Sequence, residues 1–146
     1  MLALCLITQI QIAQKLNKPI YLHCRDAFED FLECLDKYQY YNGVVHCFTG
    51  NAYQANEFIK RGLKLGITGW LLDSRRNSDL IQAIINCPIE NLMVETDAPF
   101  MTLKKQKTSV PANVIRIIEE IAKLKDMDSK TCAKIIYSTT KSFFGI

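Results

Sequence analysis

A chain of 146 residues, 49% of them apolar and 23% charged, has enough hydrophobic material for one core and too much for intrinsic disorder. Its net charge of +3 suits an anionic substrate but is far too small to predict nucleic-acid binding by itself. No run approaches the roughly 18 apolar residues of a membrane span, so no membrane partner is expected.

The opening residues 1–7 are apolar, but they lack the basic flank of a signal peptide, and Gln9, Gln11 and Gln14 interrupt the run. A buried helix is expected there. Four short segments rich in branched or aromatic residues follow, at 19–24 (PIYLHC), 43–48 (GVVHCF), 63–68 (LKLGIT) and 91–96 (NLMVET), each entered from a Pro, Gly or Asn breaker. After each comes helical periodicity, marked in turn by Phe28, Phe31, Leu32 and Leu35, by Ala52, Ala55 and Ile59, by Leu80, Ile81, Ile84 and Ile85, and by Val114, Ile117, Ile118 and Ile121. A last helix over about 129–143 ends before Gly145.

Strands alternating with helices predict a parallel sheet, because parallel neighbours need a crossover and a helix usually supplies it. An open doubly wound sheet and part of a barrel both fit. An open sheet gathers its chemistry at one switch point, whereas a barrel draws on the ends of several strands. Here the chemistry-bearing residues fall at several strand ends, which favours the barrel.

The chain has two histidines, His23 near the end of the first strand and His46 near the end of the second, and Asp97 follows the fourth. Two imidazoles and a carboxylate from separate strands can form a divalent-metal triad. They read equally well as two buried histidines bonded to backbone and a helix-capping aspartate. Cys24 and Cys47 each follow a histidine, but alternation along a strand sends neighbours to opposite faces, so a Cys2His2 zinc site is not expected. All six cysteines (Cys5, Cys24, Cys34, Cys47, Cys87 and Cys132) are scattered without a CxxC pair and read as reduced residues of an intracellular protein, cytoplasmic or nuclear.

Arg25 can hold a phosphate or carboxylate bidentately, and Asp26 is expected to cap the helix beginning at Ala27. Trp70, the only tryptophan, follows the third strand, where it can stack on a base or belong to the core. Lys104, Lys105 and Lys107 form a short basic run that is solvated or attracts a polyanion.

The segments LHCRDAFEDF (22–31), GVVHCFTG (43–50), LGITGWLLDSRR (65–76) and VETDAP (94–99), with the terminal KSFFGI, resemble the TatD family of metal-dependent deoxyribonucleases. The resemblance covers essentially the whole chain, in order. It implies a TIM-type (β/α)8 barrel of which residues 1–146 supply the last four β/α units, a half barrel forming the C-terminal portion of one hydrolase domain. It also implies that His23, His46 and Asp97 are ligands of a divalent cation (Mg, Mn or Zn), with Asp97 as the catalytic acceptor of a proton from water. Arg25 and Trp70 would be substrate-binding, and the substrate would be DNA, single-stranded by expectation.

Two departures from the family pattern stand out. The family's HxH motif and its bridging Glu on the fourth strand have no counterpart here, so a fragment, a splice form or a truncated gene is expected, with one metal site lost and the other weakened. The family's Asn-Glu-Pro motif is replaced by Ser109-Val110-Pro111. A half barrel leaves two sheet edges open, from which self-association follows. An amide or ester hydrolase on the same scaffold, such as one acting on misacylated tRNA, and a non-catalytic remnant are the alternatives.

Overall fold

The computed structural model describes residues 2–103 and 106–146. Four strands, β1 (Ile20–His23), β2 (Gly43–His46), β3 (Lys64–Ile67) and β4 (Leu92–Val94), form one parallel sheet in the order β1-β2-β3-β4. That order never reverses, so the sheet has no switch point and winds in one direction, as a barrel requires. The helices are α1 (Leu2–Leu16), α2 (Phe28–Tyr38), α3 (Ala52–Lys60), α4 (Ser78–Asn86), α5 (Val114–Leu124) and α6 (Ser129–Phe144). Among the described residues no helix is long and apolar enough to cross a membrane.

Alternation sorts the strand side chains into two sets. Leu22, Val45, Leu65, Ile67 and Leu92 join the helices in one core cluster, while Val44 and Met93 are buried outside it, on the other face. Tyr21, His23 and His46 share that second face, which is the interior side of a barrel. The register pairs His23 with His46 and Tyr21 with Val44. Tyr21 is 48% exposed and stacks on Phe144, with ring centroids 6.2 Å apart and planes at 10°. The end of α6 thus reaches the otherwise open interior face.

Phe58 on α3 is the largest fully buried side chain. The rings of Phe28, Phe31 and Phe48 meet it edge-on at centroid distances of 5.3, 5.9 and 6.1 Å. Local chemistry sets the helix ends. Asn51 and Gln54 close a reciprocal capping box on α3, Asp128 caps α6 through the Thr131 N–H, and Gly145 ends α6 at φ 67°, where a Cβ would be strained.

Three expectations are corrected. Asp26 does not cap α2: it takes φ 54°, α2 starts at Phe28, and Ala27 occupies the cap position without a side-chain bond. The first helix is only partly buried, because it packs mainly on α2 and β1. Ile10 and Ala13 are covered, but Leu4, Ile12 and Leu16 face solvent. The fourth strand is shorter than 91–96, since a 3-10 turn over Ile89–Asn91 feeds it. Of the basic run after Asp97, Lys104 and Lys105 lie outside the described residues, and Lys107 is exposed.

Candidate active site at the strand ends

β2 and β4 carry the two groups that meet. His46 Nε2 lies 3.1 Å from Asp97 Oδ1, with both side chains roughly a quarter exposed. His23 stands on the adjoining strand in direct register with His46, and the two rings are 6.0 Å apart between centroids, tilted by 42°. Among the described residues no three His, Cys, Asp or Glu side chains close round one point at metal-ligand range. The expected trio is therefore a contacting pair, His46 and Asp97, with His23 one strand away on the same face.

This arrangement suits a divalent cation as part of a larger set. Donors each roughly 2.1 Å from one ion stand about 3.0–3.4 Å apart, which matches the His46–Asp97 separation. Two rings bound to one ion at the tetrahedral angle have centroids about 5.3 Å apart, so the His23 ring, at 6.0 Å, must close toward His46 by a fraction of an ångström or more to share the same centre. Neutral imidazole and carboxylate are ordinary donors for such ions.

Glu95, inside the quoted VETDAP motif, was not singled out as a site residue, yet the structure places it against the pair. Its Oε1 is 2.8 Å from His46 Nδ1 and accepts the Cys47 backbone N–H at 2.7 Å. The His46 contact is close but off the N–H axis, so Nδ1 is buried without an aligned hydrogen bond. The signal that could have found Glu95 was strand alternation: Leu92 faces the helices, Met93 the interior, and Glu95 follows Met93 by two. Tyr21 belongs to the same corner; burial first, then the Glu95 carboxylate, push its phenol up.

Arg25 and Trp70, each read from the sequence as a separate candidate, stand near one another. Both line a cleft of about 510 Å³ beyond the ends of β1 and β2, with Thr49, Gly50, Gln54 and Phe58 among its walls. The Arg25 guanidinium is 6.0 Å from the Trp70 ring centroid. Trp70 is half-buried and packs against the edge of the core cluster. Thr68, fully buried, caps the 3-10 turn that carries the indole by accepting from the Trp70 N–H. Arg76 was missed by sequence reasoning: its guanidinium lies 3.6 Å over the indole, and its carbonyl accepts from Trp70 Nε1. No local sequence signal marks that pairing, which depends on how the loop 73–77 folds back.

The replaced motif is also built into the rim. Ser109 and Asn113 are buried, and Asn113 exchanges two hydrogen bonds with Gln106 and donates to Ser109 Oγ. The Ser109 N–H donates to the Pro99 carbonyl, so the loop leaving Asp97 is pinned to the start of α5.

Cys24 packs against the core cluster as alternation predicts, and burial pushes its thiol up to about 11. Cys47 does otherwise: at φ 48° it leaves the strand, and its Sγ contacts Thr68 Oγ1 and Met101 Sδ. Burial raises its thiol too. Since the thiolate is the reactive form, iodoacetamide at pH 8 is expected to label exposed Cys5 at least about 10-fold faster than Cys24 or Cys47. Timed alkylation with peptide mass spectrometry checks the order, and comparable rates at Cys24 would contradict the burial.

Comparison with known proteins agrees along the whole chain. The family model of TatD-related DNases matches residues 4–145. The 3'-5' ssDNA/RNA exonuclease TatD of Escherichia coli K12 is 33% identical over 148 residues, an alignment covering 96% of this chain and 57% of that protein. The protein of the same name from Salmonella typhimurium LT2 is 38% identical over 146 residues, covering 94% and 56%. A crystal structure of YJJV, a TatD homologue from Escherichia coli K12, superposes with a TM-score of 0.86 at 26% identity, covering 94% of this chain and 54% of that one. The chain thus spans a little over half the length of the curated relatives it matches, and its four strands correspond to about half of a TatD barrel. It belongs to the family of TatD-related DNases.

Proposed function

We propose that this chain supplies the second half of a metal-dependent phosphodiesterase acting on single-stranded DNA, with residues 1–146 forming the last four β/α units of one barrel domain. The observation that carries the reading is the 3.1 Å His46–Asp97 contact, made between the ends of β2 and β4 on either side of β3 in a TatD-family sheet. The curated relatives are named as 3'-5' ssDNA/RNA exonucleases, which supports the substrate class.

His46, Asp97 and His23 would hold a divalent cation, of which Mg, Mn and Zn are candidates. When bound, such an ion lowers the pKa of water and neutralises charge on phosphate oxygens. Asp97 is suited to take the proton from the attacking water as the new P–O bond forms and the bond to the leaving oxygen breaks. Arg25 would orient a phosphate from the cleft. Trp70, backed on one side by Arg76, presents its indole for stacking on a base. Half of the ligand set that the family uses lies outside these residues, so binding rather than normal turnover is the expected property of the chain alone. The edges of the sheet at β1 and β4 would pair with a complementary half or with a second copy.

Binding gives the test. Trp70→Ala is expected to weaken binding of a fluorescein-labelled oligodeoxynucleotide about 10-fold, from the stacking energy of one base on one aromatic ring. Arg25→Ala should weaken it by a similar factor and lower the salt dependence. Fluorescence anisotropy with single-stranded DNA, with aminoacyl-tRNA as the competing ester ligand, checks both. Preference for aminoacyl-tRNA would favour an ester hydrolase on the same scaffold, and no binding of either would leave a non-catalytic remnant.

A further inference from the structure

Glu95 is less exposed than the two groups it stands beside at the strand ends, at 13% against 29% for His46 and 26% for Asp97. It starts on the β4 side, yet its partners are on β2, and β3 runs between them. The side chain must therefore cross a strand. It does so over Gly66, where a Cβ would sit 2.3 Å from Glu95 Oε1 and 2.7 Å from Cδ. Only a residue without a side chain leaves that path open. At the far end one oxygen, Oε1, serves two groups: the Cys47 N–H at 2.7 Å and His46 Nδ1 at 2.8 Å. Cys47 is held at φ 48°, so the same oxygen also secures the turn by which the chain leaves β2. His46 Nδ1 is buried and makes no aligned hydrogen bond, and the Glu95 oxygen at 2.8 Å is the acceptor that a small turn of the ring would engage.

We infer that Glu95 is a positioning residue: its carboxylate, passing over Gly66, holds the His46 ring with a proton on Nδ1 and directs Nε2 toward Asp97. Which imidazole nitrogen is free to bind is set by the hydrogen bond the other one makes. The orientation of the ring stands on geometry alone. Its consequence, that Nε2 is the nitrogen offered to a cation, rests on the proposed function.

Three variants separate positioning from a merely structural role. Glu95→Gln keeps an oxygen able to accept from both groups. Glu95→Ala removes it. Gly66→Ala leaves the carboxylate in the chain but blocks its path, and because the colliding atoms are the end of a flexible side chain, the fold should tolerate the change. The probe is 15N–1H correlation of the histidine rings in the 146-residue chain at pH 8, which is simple to read because there are only two histidines.

The expected result is a protonated Nδ1 on His46 in the unaltered chain and in Glu95→Gln, and an unprotonated Nδ1 in Glu95→Ala and Gly66→Ala. Mn2+ affinity should fall about 10- to 100-fold in the latter two. An unprotonated His46 Nδ1 in the unaltered chain, or a protonated one in all four proteins, would overturn the inference. Should the protonation pattern appear while the unaltered chain takes up no Mn2+, the inference holds and the proposed function fails.

Discussion

Asp97→Ala is expected to reduce the affinity of the chain for Mn2+ or Zn2+ by more than about 100-fold, since removing even an outer partner of a metal ligand costs about 10- to 100-fold. Among the described residues the carboxylate is the only charged group in contact with His46 Nε2. Without it, two imidazoles on adjoining strands remain, both neutral when they bind, and nothing offsets the cost of bringing a dication to the barrel interior. The loop leaving Asp97 is pinned to α5 through Pro99 and Ser109 by backbone, so the substitution should leave the fold intact. Isothermal titration with each ion, beside a thermal melt of the same protein, separates lost affinity from lost structure. Unchanged affinity in a folded Asp97→Ala chain would remove Asp97 from the ligand set.

Phe58→Ala should have the largest effect on stability, about 3–5 kcal/mol, within the range for deleting a fully buried aromatic ring. That is a large part of the about 5–15 kcal/mol that holds a typical domain folded. Phe58 is 2% exposed and takes the edges of three other phenyl rings, so its loss removes transfer energy and several oriented contacts together. Phe58 also walls the cleft that holds Arg25 and Trp70, and Phe48, which packs on it, is a second wall. DNA binding should therefore weaken along with the fold. Tyr53, on the same helix but 61% exposed, is the control, and Tyr53→Ala should stay within about 1 kcal/mol. Urea unfolding of the pair measures the difference, and equal midpoints would contradict the packing described for Phe58.

Much of this was legible in the residues because barrels write their chemistry at strand ends. The breakers before each apolar run marked where strands begin, and period-two alternation told which side chains share a face. That is why His23 and His46 meet in register. Strand ends were less legible. The segments 43–48 and 63–68 read as six residues but pair over four, because Cys47 turns into the left-handed region and Thr68 is recruited to cap a turn. The capping role expected of Asp26 failed for a similar reason: its own backbone takes a positive φ, a feature of tertiary context rather than of residue type. Burial of α1 was overestimated because an apolar sequence does not say how many neighbours are present to cover it. Trp70 was ambiguous in sequence and combines both readings, packing against the core's edge while two guanidiniums flank its ring, one of them from a loop position, Arg76, that no periodicity marks.

Glu95 shows a different kind of miss. Attention to Asp97 as the ligand obscured its neighbour, although alternation from Met93 points Glu95 inward and Gly66 provides the space it needs. A carboxylate reaching across a middle strand can be recognised only when the register of three strands is known together.

The central claim is that His23 and His46 converge on one cation beside Asp97. It is tested most directly by electron spin-echo spectroscopy of the Mn2+-loaded chain carrying 15N-labelled histidine. Since the chain has just two histidines, coupling to two labelled nitrogens is predicted, one of which is lost in His23→Ala and the other in His46→Ala. Bound Mn2+ without any histidine coupling would contradict it.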